Sequence, residues 1–281
     1  MNINIAKNAE GIDIEKKEGV KSHFKNILRK VVEKSFSYLS VVLFLILWQL
    51  IAISGYVNQT FLPSFTTVIK EMVRLIGTGE LLAHIQISLF RSLTGFFLGL
   101  VVAIPLGLLI GWFKKFEKFI DPLIQTFRNL SVLSILPVFV LFFGIGEVSK
   151  IAVVFWAVLW AVIINTISGV KNVDPLLIKG ARSMGISSKD LFIKVIFPAA
   201  LPSIFTGIRL SATTSILVLI GAEMVGASKG LGYALYFYQA NFKTPAMYSV
   251  ILVMAVIGVS INSILTVVEK RAFRWKENIQ S

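Results

Sequence analysis

The chain of 281 residues contains no cysteine. That excludes a disulfide framework and every thiolate metal site. Histidine is nearly as scarce: His23 and His84 stand in different segments, expected on opposite sides of a membrane, and fit no zinc-ligand spacing. A nucleotide-binding loop is missing as well. Gly221 and Gly226 have the glycine interval of a Walker A motif, but Ala227 occupies the place of the phosphate-binding lysine. Acidic residues number 15 against 28 Lys and Arg, giving a net charge of +13. The basic residues flank apolar runs and form no stripe of their own, so nucleic acid is not an expected partner. No catalytic constellation can be assembled, and the chain is expected to be non-catalytic and to bind no cofactor or metal itself.

What is abundant is apolar surface. Hydrophobic residues make up 56% of the chain and the mean hydropathy is +0.80, too apolar for an ordinary soluble domain. The expected fold class is an all-α integral membrane protein of about six transmembrane helices. Residues 1–37 read as a basic cytoplasmic tail with no cleavable signal peptide, residues 38–268 as the transmembrane domain, and residues 269–281 as a second cytoplasmic tail. Tyr38 to Ser54 is the first span, with Trp48 and Tyr56 at the outer interface. Ile69, Met72, Val73 and Ile76 repeat at helical spacing and suit a helix lying along the outer surface.

The second span, about Gln86 to Trp112, carries Gly95, Gly99, Ala103, Gly107 and Gly111 at four-residue intervals. Such a stripe lets another helix approach closely, and packing is what holds helices together in lipid. Asp121-Pro122 has the form of a helix cap followed by a first-turn proline, opening a third span that Arg128, Asn129 and Pro137 interrupt. Arg128 and Asn129 are read either as lining or gating a pathway, or as an arginine whose stem carries its charge to the interface. The fourth span is Ile151 to Val170, the fifth Ser203 to Val225 and the sixth Ala246 to Val268. Glu223 is the carboxylate set well inside a span, either a gate near the outer side or an acid hydrogen-bonded to a neighbouring helix. Glu80 and His84, four apart, read as a solvated surface pair.

The most informative stretch is polar, Asp174 to Pro202. Asp174 can cap a helix that Pro175 begins, Gly185 can end it in the left-handed conformation, and Ser187 with Asp190 caps a second helix. Leu176, Leu177, Gly180, Ala181 and Met184 form one apolar or small face, with Lys179, Arg182 and Ser183 elsewhere. Pro198 and Pro202 are expected to break this knuckle off from the fifth span.

Ala181, Gly185, Val195 and Pro198 keep the spacing of the Glu-Ala-Ala loop of permease subunits in binding-protein-dependent ABC importers, and the chain resembles that family. Lys179 stands where the family has Glu, Gly180 where it has Ala, and Phe197 where it has Leu. Three further stretches resemble the nitrate, aliphatic sulfonate and taurine branch: Ser88 to Phe96, Phe143 to Lys150, and the Gly-Leu-Gly-Tyr run ending at Tyr233. A fourth, Phe127 to Pro137, carries Ser131 for a proline, a loss expected to straighten the helix there.

The resemblance implies a type I importer permease whose cytoplasmic loop is a coupling helix, with Asp174, Lys179, Gly180, Ala181, Arg182, Gly185, Ser187 and Pro198 engaging a separate ABC ATPase dimer. ATP and Mg would then be bound by that partner, a substrate-binding protein outside the cell would deliver a small anion such as a sulfonate, taurine or nitrate, and a second permease copy would complete the pathway. The implied location is the bacterial plasma membrane, with both termini cytoplasmic. Charge agrees with that orientation: of the 28 Lys and Arg, all fall on the cytoplasmic side except Lys70, Arg74, Arg91, Lys150, Lys229 and Lys243. The competing class is an ion-coupled secondary transporter using Arg128 and Glu223.

Overall fold

The computed structural model describes residues 39–272. Residues 1–37 and 273–281 of the two tails, and Tyr38 at the edge of the first expected span, lie outside the described residues. Those described are helical with no strand among them. By length and composition four helices can cross a membrane, and a fifth crossing is available if one sharply bent pair counts as a single span.

Residues 39–67 form one compact unit and the chain from Val68 onward another. In the first, α1 (Leu39–Ile53) is apolar but shorter than the other spanning candidates. The Trp48 indole donates to the Pro63 carbonyl at 3.1 Å, tying the helix to the turn that follows it. Helix α2 (Phe65–Gly77) comes next and is amphipathic. Its buried residues are Val68 and Leu75, with Met72 between them, whereas Val73 and Ile76 are exposed. The inward stripe is therefore shifted one position from the 69/72/73/76 face expected from spacing, because α2 buries Val68 and turns Met72 and Leu75 into a cluster with Leu81, Leu231 and Val250.

The core of the second unit is three long helices: α3 (Glu80–Trp112), α6 (Glu147–Lys171) and α9 (Phe197–Met224). Their interface buries Phe96, Ala103, Val154, Val158, Val162 and Leu219. The small-residue stripe of α3 explains how closely α6 lies. A Cβ added at Gly95 would fall 2.7 Å from Val154 Cβ, at Gly99 2.7 Å from Val158 Cγ1, at Gly107 2.6 Å from Thr166 Cβ, and at Gly111 2.9 Å from Val170 Cβ. Ala103, fully buried, keeps the same period. Hydroxyls add polar links in the dry interior: Ser92 and Ser215 meet at 3.1 Å between α3 and α9.

Between α3 and α6 lie α4 (Lys114–Arg128), a 3-10 turn (Val132–Ile135) and α5 (Leu136–Phe143), the two arms bent by 91°. Two expectations fail here. Helix α4 starts at Lys114, so Asp121 caps nothing and Pro122 lies inside the helix; Phe116, Ile120 and Ile124 pack on the core and carry the helix through the proline. Nor does Ser131 straighten the chain. Asn129 Nδ2 turns back to the Gln125 carbonyl at 2.7 Å, and Ser131 is extended at φ −62° and ψ 124°, so the helix ends without needing a proline.

Helix α7 (Pro175–Ser183) follows α6, and α8 (Ser188–Leu191) leads through a π turn (Phe192–Ile196) into α9. Pro198 and Pro202 do not interrupt this path, which runs as one helix from Ser188 to Met224. The π turn widens the ladder just before Pro198, where an α-helical proline ring would strike the carbonyl four residues back. Helix α10 (Leu231–Ala240) and α11 (Thr244–Ala272) complete the unit, α11 extending past Val268.

Candidate functional site

Two constructions stand out, one at each end of the long helices. The first is the α7–α8 knuckle. The Asp174 carboxylate accepts from the Leu176 N–H at 2.7 Å, and Pro175 occupies the first turn without a wasted donor. Gly185 sits at φ +74°, the left-handed region that L side chains seldom enter. The Ser187 hydroxyl then accepts from the Asp190 N–H at 3.1 Å and donates back to its carboxylate at 2.8 Å. Ion pairing of Lys194 with Asp190 at 2.8 Å extends this cap into the π turn.

Ala181 and Leu191 seat the knuckle. Ala181 is 4% exposed and joins Leu191, Val173 and Ile196 in a small cluster. By contrast Leu176 is 73% exposed and Met184 77%, so most of the apolar face has no cover within the chain. Gly180 is helical with nothing near its would-be Cβ. Lys179, Arg182, Ser183 and Ser187 are exposed too. Pro198 stands at the head of α9, half-buried.

The second construction surrounds Glu223, which is fully buried near the end of α9. Its carboxylate accepts from the Ser88 hydroxyl at 2.8 Å, from Arg91 Nη1 at 2.7 Å and from the Gly232 N–H at 2.9 Å. Arg91, 1% exposed, also forks onto Glu147 at 2.5 and 2.6 Å and reaches the Lys229 carbonyl at 2.7 Å. Ser88 in turn accepts from the Leu231 N–H at 2.8 Å, and His84 Nδ1 from the Gly230 N–H at 3.1 Å. One guanidinium and one carboxylate thus pin α3, α6, α9 and the turn before α10 together.

The glycines of that turn follow from the same contacts. A Cβ at Gly232 would lie 2.2 Å from the Ile220 carbonyl oxygen, and one at Gly230, whose φ is +123°, 2.4 Å from the Glu223 carboxylate. Of the two readings left open for Glu223, the geometry is that of an acid bonded to its neighbours: it faces α3 and the 229–232 turn. Glu80 and His84 are not a free surface pair either. Glu80 accepts from the Tyr238 hydroxyl at 2.6 Å while His84 holds Gly230, so α10 separates their tasks. Burial, and then the Glu80 carboxylate, push the Tyr238 phenol well above its ordinary range.

Sequence reading passed over Arg91, Ser88 and Glu147 as site residues. The available signal was an arginine set inside the apolar run of α3, since a buried carboxylate such as Glu223 requires a cation. Arg128 and Asn129 are not in this network. Arg128 ends α4 and lines a cavity of about 280 Å³ together with Asp121, Gln125, Ser168 and the Lys171–Glu117 ion pair, whose ends lie 2.7 Å apart.

The chain belongs to the family described as binding-protein-dependent transport system inner membrane component, which matches residues 95–274. It is 36% identical to the putative aliphatic sulfonates transport permease protein SsuC of Bacillus subtilis, over 83% of this chain and 85% of that protein. It is 30% identical to the taurine transport system permease protein TauC of Escherichia coli, over 90% and 93% of the two chains. Among solved structures, the inward-facing MetNI methionine ABC transporter shares the fold, with a TM-score of 0.62 at 19% identity, over 68% of this chain and 95% of that one. The protein is an ABC importer permease subunit of the sulfonate and taurine branch, an inner-membrane component with a type I fold.

Proposed function

We propose that this permease moves a small sulfonate-like anion inward, driven by ATP hydrolysis in a separate ABC ATPase dimer that grips the α7–α8 knuckle. The observation that carries the reading is the knuckle itself: two capped helices, anchored through Ala181 and Leu191, holding Leu176, Leu177 and Met184 out to solvent. An apolar face on so small a helix has no reason to stay bare unless another surface covers it. Because α8 continues without a break into α9, a displacement of the knuckle is passed directly to the bundle.

The sulfonate class is supported by the relatives named above, and two permease copies with an external binding protein complete the proposed assembly. Orientation follows from charge. Of the six basic residues on the outer side, Arg91 and Lys150 are buried and satisfied within the protein, Lys150 by the Gly146 carbonyl at 3.0 Å. They are therefore weak topology signals, and the bias toward cytoplasmic termini is stronger than the raw count. Within the bundle, Arg128, with Asn129 beside it, is the pathway candidate, while Glu223 acts as a brace.

The absence of native cysteine makes the test direct. Cysteine placed singly at Leu177 or Met184 should form a crosslink with a cysteine in the ATPase groove, and the yield should change when ATP is trapped. Arg182→Glu, or Gly185→Val, should uncouple hydrolysis from uptake while the protein stays in the membrane; the second forces a β-branched residue to φ +74° at about 1–3 kcal/mol of local strain. Gly180→Ala, with open space around it, should leave coupling intact. Uptake driven by an ion gradient without any ATPase would instead establish the secondary-carrier reading.

A further inference from the structure

A cavity of about 500 Å³ opens where the end of α3 meets the π turn, walled by Pro105, Leu108, Leu109, Trp112, Phe192 and Ile193. Its lining is almost wholly apolar, and its volume is that of a small-molecule site. The floor is a fixed aromatic pair: the rings of Trp112 and Phe192 meet edge to face at 5.1 Å. Cationic residues stand close by. Lys189 lines the cavity, and Lys114 and Lys115 follow directly on Phe113, its remaining aromatic wall. All three lysines are exposed. Acidic side chains nearby are engaged elsewhere: Asp190 with Lys194 at 2.8 Å, and Glu117 with Lys171 at 2.7 Å.

An apolar cavity lined by Lys189, with two further exposed lysines next in sequence to its Phe113 wall, matches one chemistry. We infer that this groove is a binding site for an anionic phospholipid, one acyl chain lying against Trp112 and Phe192 and the headgroup phosphate held by Lys189, Lys114 and Lys115. Zwitterionic lipid offers the same chain but a weaker charge match, and a soluble anion would leave the apolar slot unfilled. The site touches the coupling machinery. Trp112 and Phe192 pack on the cluster that seats Ala181 and Leu191, and Lys189 belongs to α8. Occupancy would therefore stiffen the junction between knuckle and α9. The orientation proposed above decides which leaflet supplies the lipid; the groove and its charge do not depend on it.

The test uses the full-length permease alone in nanodiscs, so a failed coupling proposal does not affect it. Phosphatidylglycerol or phosphatidylcholine with the same mid-chain brominated acyl groups serves as quencher, and the Trp112 component is isolated by subtracting the signal of Trp112→Phe. Each lysine near an anionic headgroup contributes about a factor of five. The Trp112 component should accordingly be quenched by brominated phosphatidylglycerol at a mole fraction at least about fivefold lower than by brominated phosphatidylcholine. Lys189→Glu should weaken that preference, and the triple reversal of Lys114, Lys115 and Lys189 should abolish it while ordinary quenching by phosphatidylcholine persists. Equal quenching by the two lipids in the native chain would reduce the groove to ordinary lipid contact. Absence of any Trp112-dependent quenching, or a preference that survives charge reversal, would overturn the assignment as well.

Discussion

Replacing Arg91 by alanine is expected to cost the folded permease about 3–5 kcal/mol, the usual penalty for stripping one partner from a buried ion pair. Arg91 is 1% exposed and Glu223 fully buried, so the carboxylate left behind cannot recover its hydration. Ser88 and the Gly232 N–H would remain as its donors, two neutral groups in place of a guanidinium. Glu223→Gln keeps the shape and part of the hydrogen bonding, and should cost less, about 1–3 kcal/mol. The double variant Arg91→Met with Glu223→Gln should be less destabilised than Arg91→Ala, because no charge is then stranded. Glu147→Gln should matter least, since its side chain is 51% exposed and water replaces much of what is lost. Thermal unfolding of the purified protein in detergent measures the series. An Arg91→Ala variant within about 0.5 kcal/mol of the native chain, the range of ordinary surface changes, would show that the cluster does not brace the bundle.

The second large effect is expected along α3. Gly99→Leu should prevent stable assembly of α3 with α6, because even a Cβ there lies 2.7 Å from Val158 Cγ1 and 2.8 Å from its Cβ, atoms of a rigid β-branched side chain. Gly107→Leu meets Thr166 in the same way, at 2.6 Å. Overpacking typically costs about 1–3 kcal/mol where neighbours can shift, and more where the obstacle is stiff. Gly258→Leu in α11, with nothing near its Cβ, is the matched control and should be tolerated. The yield of monodisperse protein after membrane extraction separates these outcomes. If Gly99→Leu and Gly258→Leu behaved alike, the close approach of the two helices would not be what holds them.

Both effects turn on residues that the sequence displays without pairing. The glycine stripe of α3 is plain as a four-residue period, and a helix facing it was expected; that the facing residues are Val154, Val158, Thr166 and Val170 is visible only once the chain has folded back. The same holds for the two stretches that resemble the sulfonate and taurine branch. Ser88 to Phe96 and the Gly-Leu-Gly-Tyr run read as separate signatures, 143 positions apart at the Ser88–Leu231 bond. In the structure they are two sides of one contact, the first supplying the hydroxyl and guanidinium, the second the turn that Glu223 holds.

Local chemistry was enough for some features. The membrane class follows from composition, since apolar runs of this length have no other solvent. The knuckle's caps follow from Asp174, Pro175, Gly185, Ser187 and Asp190, because each acts on a backbone group within a few residues of itself. Where the outcome depended on partners distant in the chain, tertiary structure decided. It carried α4 through Pro122 and the last long path through Pro198 and Pro202, bent the third span by 91° without a proline, and turned α2 by one residue. It also gave the buried Glu223 its cation. The physical reason is range: capping and helical periodicity are settled within a turn or two, whereas the cost of a kink or a buried charge depends on what other helices bring against it.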